Sequence, residues 1–154
     1  MDGREQHAVV EILNRVLSDN EVLYNKTRKY HWNVTGRMFH SIHELLEEQY
    51  TALAKAGDEI AERSRSLGAP SIGTLKEFLE CTTLQEDAGQ YPHADQMLAN
   101  LVTDHESVIR ALRQDIDKCE EYNDAGTADF LTQQMEDHEK MAWMLRAFLE
   151  DRTT

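Results

Sequence analysis

The chain has 154 residues, 29 of them acidic and 16 basic, and its formal charge of −13 disfavours non-specific binding to nucleic acid phosphates and favours cations as partners. This length suits one domain over residues 1–154 rather than two. No apolar run approaches a membrane span and the first ten residues lack a secretory signal, so we expect a cytoplasmic protein without membrane contacts.

Four long segments carry apolar residues at helical spacing, and no segment shows the alternation of a strand. The first stripe predicts a helix over about residues 5–32, ended by residues 33–36, and the second predicts a helix from Phe39 to about residue 66. Pro92 is expected at the first position of a third long helix, which ends near residue 123. A fourth helix is expected to run through Phe148.

The connection between the second and third helices is long, roughly 25 residues, whereas the other two connections are short turns. Within it, Thr74 and Glu77 have the spacing of a capping box, which predicts one short helix. Short turns make antiparallel neighbours, and a long connection lets the third helix start at the far end of the bundle. We therefore predict an all-α, ferritin-like four-helix bundle with a short extra helix in the long crossover.

Metal-ligating side chains are concentrated on the second helix. Bundles of this type often build a di-iron site from Glu-x-x-His motifs, and this sequence contains none. Instead, His43 and Glu47 are four residues apart, as are Asp58 and Glu62, so each pair projects from one face of the helix. His43 and Asp58 are nevertheless ~22 Å apart along the axis at the standard rise per residue. One chain alone does not bring the two pairs together.

A two-fold symmetric, antiparallel pairing of this helix with its copy would join the two pairs, and would do so twice. His31, just across the turn that contains Gly36, is positioned to add a second imidazole to each site. Two imidazoles with carboxylates suit iron and also accept zinc or cobalt. The spacing therefore favours an intersubunit metal site.

Structural interpretations of the same residues remain open. His43 with Glu47 has the spacing of an ordinary surface pair, and His31 suits a helix C-terminus. Arg63 or Arg65 would be able to neutralise the neighbouring acids. We expect no metal binding by the other histidines, which we assign to the surface or the core: His7, His40, His93, His105 and His138.

The stretch "HWNVTGRMFHSIHELLEEQY" at residues 31–50, followed by "DEIAERSRSLGAP", resembles the paired signatures of the Dps miniferritins. The resemblance continues through "GTLKEF", "LVTDHESVIR" and "DHEKMAWMLRAFL". It implies twelve subunits in a hollow shell built from two-fold dimers, with ferroxidase sites of two irons each at the two-fold interfaces. The implied ligands are His31, His43 and Glu47 of one chain with Asp58 and Glu62 of its neighbour. Gly57, where an apolar residue is more common, and Glu47, where Asp is common, depart from the pattern.

The same resemblance implies iron storage and detoxification. Fe(II) would be oxidised by hydrogen peroxide, or alternatively by dioxygen, and zinc or other divalent ions would be able to substitute. The implied pore acids are Glu121, Asp124 and Asp129, and the proposed mineral-nucleation acids are Glu44, Glu47 and Glu48. Trp32, beside His31, is a candidate to intercept stray oxidising equivalents, with a buried aromatic anchor as the alternative.

Two further functions remain open from the sequence. One is a DNA-compacting shell whose metal binding is incidental, and the other is a shell that binds divalent ions without turnover. Many proteins of the resembled family bind DNA through a lysine-rich tail. The ends of this chain, "MDGREQ" and "EDRTT", are acidic or balanced, so we expect no DNA binding.

Overall fold

A computed structural model describes residues 1–150 and consists of five helices over that range. In chain order they are α1 (Gly3–Asn33), α2 (Phe39–Ser66), α3 (Leu75–Cys81), α4 (Ala94–Glu121) and α5 (Ala125–Leu149). No strand occurs in these residues. The all-α bundle with a short extra helix in the long crossover is therefore confirmed.

Capping boxes fix where two of the helices begin. Asp2 caps α1 and forms a capping box with Glu5, and Thr74 caps α3 in the predicted box with Glu77. The expectation that Pro92 opens the third long helix is wrong. α4 begins at Ala94, because His93 keeps an extended backbone (φ −65°, ψ 161°) and serves as the N-cap.

The bundle is built from two helical hairpins. α1 packs on α2 and α4 packs on α5, and further contacts join α1 to α4 and α2 to α5. The core between them consists of aliphatic residues from all four long helices, with Leu13, Leu46, Leu101 and Leu131 fully buried. None of the helices in residues 1–150 is long and apolar enough to cross a bilayer.

Hydrogen bonds hold the long crossover against α1, on which α3 also packs. The buried carboxylate of Asp19 accepts bonds from Thr82 and Thr83 at 2.7 to 2.9 Å. Farther along, Asp87 accepts bonds from the Tyr30 hydroxyl at 2.5 Å and from Lys29 Nζ at 2.9 Å. The second half of α1, which carries His31, is therefore held by the crossover as well as by its packing on α2.

Candidate metal centre

His31 and His43 lie face to face across the α1–α2 turn. Their ring centroids are 3.8 Å apart and the ring planes differ by 12°. His31 Nδ1 is 2.7 Å from the His43 carbonyl oxygen, and His43 Nδ1 is 2.8 Å from the His31 carbonyl oxygen. A carbonyl oxygen only accepts, so each Nδ1 must donate a proton. When the rings are neutral, each Nε2 therefore presents a lone pair, and this is the tautomer that binds a metal ion through Nε2.

Glu47 adds a carboxylate to the two imidazoles. Its Oε1 lies 3.7 Å from His31 Nε2, and its side chain is exposed whereas that of His31 is buried. The structure therefore brings together the three candidate ligands that the sequence assigned to one half-site. That they bind a metal ion stays a prediction.

Aromatic rings surround the imidazole pair. Phe39 stacks on His43 with centroids 4.9 Å apart, and Tyr50 meets His31 edge-on at 5.2 Å. Neither ring was predicted from the sequence to belong to the site. The available signal was spacing, because Phe39 precedes His43 by four residues and so shares its helix face.

Asp58 and Glu62 form the second candidate group, exposed and farther along α2. Neither arginine proposed as their neutralising partner serves that purpose. Arg63 bonds Asp124 and Thr127 at 3.3 and 3.1 Å, and Arg65 donates to the carbonyl of residue 69. Across residues 1–150, no group of three or more His, Cys, Asp or Glu is arranged to hold a metal ion.

The proposed nucleation acids lie on α2, and Trp32 lies at the end of α1. Glu44 is exposed and its Oε1 lies 3.2 Å from His40, and the exposed Glu48 lines a groove between α2 and α5. The Trp32 ring is 63% exposed with the Arg28 guanidinium 4.9 Å from its centroid. Within one chain, Trp32 is therefore not the buried anchor that was the alternative interpretation.

The three pore candidates differ in how available their carboxylates are. Glu121 and Asp129 are exposed, and Glu121 pairs with Lys118 at 3.5 Å. Asp124 is buried as the N-cap of α5, where its oxygens accept bonds from the Thr127 backbone and hydroxyl and face Arg63. A pore role stays a prediction for all three. Asp124 already has a structural role, because it caps α5 and pairs with Arg63.

The remaining histidines lie on the surface or in the core, as expected. Three of them, His7, His40 and His93, are exposed. His105 and His138 instead form a buried pair between α4 and α5, with their Nδ1 atoms 2.9 Å apart. Burial lowers the pKa of His138 to about 4, and burial together with the neighbouring His138 lowers the pKa of His105 well below its usual range.

Comparisons with known proteins give the family. The ferritin-like domain family matches residues 10–153. A protein of Nostoc sp. described as an uncharacterized low temperature-induced protein is 50% identical over 97% of this chain and 84% of its own length. DNA protection during starvation protein 2 of Bacillus anthracis is 38% identical over 92% of this chain and 96% of its own length. The chain belongs to the Dps family of ferritin-like proteins.

The structural comparison agrees with the Dps assignment. The crystal structure of a Dps protein from Vibrio cholerae O1 aligns with a TM-score of 0.91 and 29% identity over 97% of this chain and 94% of that chain. That protein is described as a member of a broad superfamily of ferritin-like diiron-carboxylate proteins. The similarity therefore covers the helices that carry both candidate ligand groups.

Both departures from the Dps pattern have a structural context. Glu47 lies near His31 despite its longer side chain, as described above. Gly57 is buried against α1, where a side chain would meet Glu21. The C-terminal "EDRTT", on which part of the DNA expectation rests, extends into residues 151–154, which lie outside the described residues.

Proposed function

We propose that this Dps family member oxidises Fe(II) at sites shared between two chains and stores the ferric product in a hollow shell. Its membership of the ferritin-like family supports iron storage and protection. One observation carries the finer proposal. The reciprocal bonds between His31 and His43 leave the Nε2 lone pair of each neutral ring free, in a tautomer suited to metal binding, and Glu47 lies beside that of His31.

The second half of each site comes from a neighbouring chain. Asp58 and Glu62 lie ~22 Å along α2 from His43, so they do not complete that chain's own imidazole half-site. An isologous pairing of two α2 helices would complete two sites at once, each with imidazoles and carboxylates for two irons. Six such dimers would form the proposed dodecamer.

The chemistry uses hydrogen peroxide as the oxidant, with dioxygen as the alternative. Two Fe(II) ions each lose one electron, and peroxide takes up both electrons and two protons to become two water molecules. Pairing the two irons avoids the one-electron reduction that would release a hydroxyl radical. The carboxylates favour the harder ferric product. Trp32, adjacent to His31, is the candidate residue for intercepting a stray oxidising equivalent.

The exposed acids give a route for iron through the shell. The exposed Glu121 and Asp129, with the buried Asp124 between them in sequence, would line the pores by which Fe(II) enters. Ferric ions would then collect at the exposed acids of α2, namely Glu44, Glu47 and Glu48. Zinc would occupy the oxidation site without turnover, because it has no accessible second oxidation state, and other divalent ions would be able to compete for the same ligands.

Mixed assemblies test the two-chain site. His43→Ala and Asp58→Ala each damage every site of their own homodimer. In a mixed dimer, one site collects both lesions and the other combines an intact His43 with an intact Asp58. We expect co-expressed mixed shells to regain oxidation that neither parent has, up to one working site in each mixed pair, measured as ferric absorbance after peroxide is added to anaerobically loaded protein.

The matched control mixes His43→Ala with His31→Ala. Both residues belong to the imidazole half, so every site in such a mixture carries a lesion and no rescue is expected. If verified mixtures of His43→Ala and Asp58→Ala are no more active than the mean of their parents, the intersubunit site is refuted.

We also expect no binding to duplex DNA. Asp2 and Glu5 are engaged in the α1 cap, and Gln6 donates to the Leu67 carbonyl, so the acidic N-terminal residues belong to the folded domain. Affinity for DNA requires several phosphate contacts, and the formal charge of −13 opposes them. Retardation of a linear duplex by sub-micromolar protein at ~150 mM salt would contradict this expectation and favour the DNA-compacting alternative.

A further inference from the structure

A cavity of about 330 Å³ lies between α2 and α5. These helices belong to different hairpins, and they contact each other much less than the two helices within each hairpin do. A space of this size is at the lower end of the range for small-molecule pockets. Most of its lining is apolar and comes from Leu45, Ala52, Leu53, Ala56, Met141 and Met144.

Three buried polar side chains line the same cavity, namely Gln49 of α2 and Gln134 and His138 of α5. Gln134 is 3% exposed, and the other two are each 4% exposed. The Gln134 amide has no hydrogen-bond partner among residues 1–150. Gln49 Nε2 donates to the Met141 carbonyl at 3.2 Å, but Gln49 Oε1 has no partner. Buried polar groups are normally hydrogen-bonded, so these side chains call for a partner from outside the chain.

The hydrogen bond between His138 and His105 determines what His138 offers to the cavity. One of the two Nδ1 atoms must donate to the other, and His105 Nε2 is buried without a partner. A buried donor without an acceptor is rarer than a buried acceptor without a donor, which favours a proton on His105 Nδ1. His138 then accepts at Nδ1 and carries its own proton on Nε2. The cavity lining therefore includes an imidazole donor and two amides.

The charges around the cavity favour a neutral ligand. The charged side chains in its lining are all exposed, and two acids, Glu48 and Asp137, outnumber one base, Lys140. Burial lowers the pKa of His138 to about 4, so its ring is neutral at neutral pH and does not neutralise an anion. A charge that enters an apolar cavity without a partner is strongly disfavoured.

We propose that the cavity between α2 and α5 binds a small uncharged aromatic molecule that bears one hydroxyl group, the chemical class of the phenols. The ring packs against the leucines and against Met141 and Met144, since thioethers contact aromatic rings favourably. The hydroxyl group accepts from His138 Nε2 and donates to a glutamine oxygen. One hydroxyl group thus satisfies an otherwise unpartnered donor and an otherwise unpartnered acceptor.

The cavity is separate from the proposed iron site. Ala52 lies ~180° around α2 from His43, at ~100° per residue, whereas Asp58 lies only ~60° from it. A pairing of two α2 helices through His43 and Asp58 therefore uses the other face of α2. Phenol binding does not depend on the proposed function, and either proposal can fail without the other.

The experiment measures binding of 4-fluorophenol to assembled shells by fluorine NMR. We expect saturable binding of one molecule per chain, with a dissociation constant on the order of 1 mM for so small a ligand. Fluorobenzene, which lacks the hydroxyl group, and 4-fluoroanisole, in which it is methylated, should bind at least about fivefold more weakly, as expected for loss of a hydrogen bond. Equal binding of fluorobenzene and 4-fluorophenol would overturn the assignment of the ligand class.

Gln134→Leu separates a ligand-binding role from a structural one. It should weaken 4-fluorophenol binding about fivefold and leave resistance to urea equal or higher, because it removes a buried amide that has no partner. The matched control is Gln133→Leu, at an exposed neighbour whose amide donates to Asp137 at 3.0 Å. This control should bind 4-fluorophenol within about twofold of wild type. Lower resistance to urea with unchanged affinity in Gln134→Leu would give Gln134 a structural role and overturn the proposal.

Ala52→Phe tests the location of binding. Ala52 is exposed in the cavity lining, so a phenylalanine ring there has room to fold over the opening. We expect this variant to lose binding of 4-fluorophenol and of fluorobenzene alike. Full binding by assembled Ala52→Phe shells would place the ligand elsewhere and overturn the proposal. The absence of saturable binding to wild-type shells would mean that water alone satisfies the buried amides, and would overturn it as well.

Discussion

The molecule contains two histidine pairs, and they differ in where the ring nitrogens direct their hydrogen bonds. In the pair at the α1–α2 turn, each Nδ1 donates to the backbone carbonyl of the other histidine, and Glu47 lies beside a free Nε2. In the pair between α4 and α5, the two Nδ1 atoms contact each other, and His105 Nε2 is buried without a partner. Contact between two imidazoles therefore does not by itself leave both rings ready to bind a cation.

The two pairs differ in which group accepts the hydrogen bond from Nδ1. Backbone carbonyls accept at the first pair, so both rings keep an unshared lone pair for a cation. At the second pair, one imidazole must accept from the other, and burial disfavours any positive charge. The first arrangement prepares two ligands, and the second is a neutral element of the core.

The largest expected effect comes from removing the first pair. His31→Ala/His43→Ala should assemble normally and oxidise Fe(II) at least about 100-fold more slowly, because loss of a ligand exceeds the loss of a supporting group. His138→Gln should leave oxidation per assembled shell within about twofold, because both rings of this pair are buried in the core and neither belongs to the candidate ligands or their supporting groups. The assay is ferric absorbance after peroxide addition, with assembly checked by size. Loss of Fe(II) oxidation in assembled His138→Gln shells would contradict the prediction that only the first pair takes part in oxidation.

Much of the fold was predictable, because a 3.6-residue period repeated over 25 or more residues is a strong local signal. α1 and α2 begin and end within a few residues of the predicted bounds. The error at Pro92 arose because proline fits both the first helical position and the residue before a cap. Only the extended backbone of His93 distinguishes the two cases.

The candidate site was predictable in composition but not in its hydrogen bonds. Spacing placed His43 beside Glu47, and the short turn placed His31 nearby. The reciprocal bonds depend on the exact geometry of that turn, in which Gly36 adopts a positive φ of 109°. The pairing of His105 with His138 and the contact of Arg63 with Asp124 depend on helix registers that no local pattern specifies.

The second expected effect concerns pH and the buried pair. The pKa of His138 is lowered to about 4 in the folded chain, against an ordinary value of 6.5, so only the unfolded chain takes up a proton between these values. Stability is therefore fully present above the ordinary value and is lost as pH falls towards the folded one. From pH 7 to pH 5, wild type should lose about 2 kcal/mol more than His138→Gln in urea denaturation.

The control for this prediction is His7→Gln, which removes an exposed histidine beside Glu11. The stability of this variant should depend on pH as that of the wild type does. Asp104 and Asp115, whose pKa values burial raises, titrate in the opposite sense and are common to all three proteins, as is the buried His105, so the difference between proteins comes from removal of the His138 imidazole and its effect on His105. If the free energy of unfolding changed equally with pH in wild type and His138→Gln, the neutral, buried state of the second pair would be contradicted.

The smallest expected effect is at Phe39. Its ring stacks on His43 but takes no part in the bond from His43 Nδ1 to the His31 carbonyl oxygen. Phe39→Ala should weaken Co(II) binding several-fold, corresponding to about 1 kcal/mol for one aromatic contact, because the backbone carbonyls still hold the tautomer. Phe39→Tyr keeps the ring face and should bind like wild type. Unchanged affinity in Phe39→Ala would mean that the reciprocal bonds alone orient the first pair. A loss as large as that of His43→Ala would instead mean that ring stacking, more than the carbonyls, prepares the ligands.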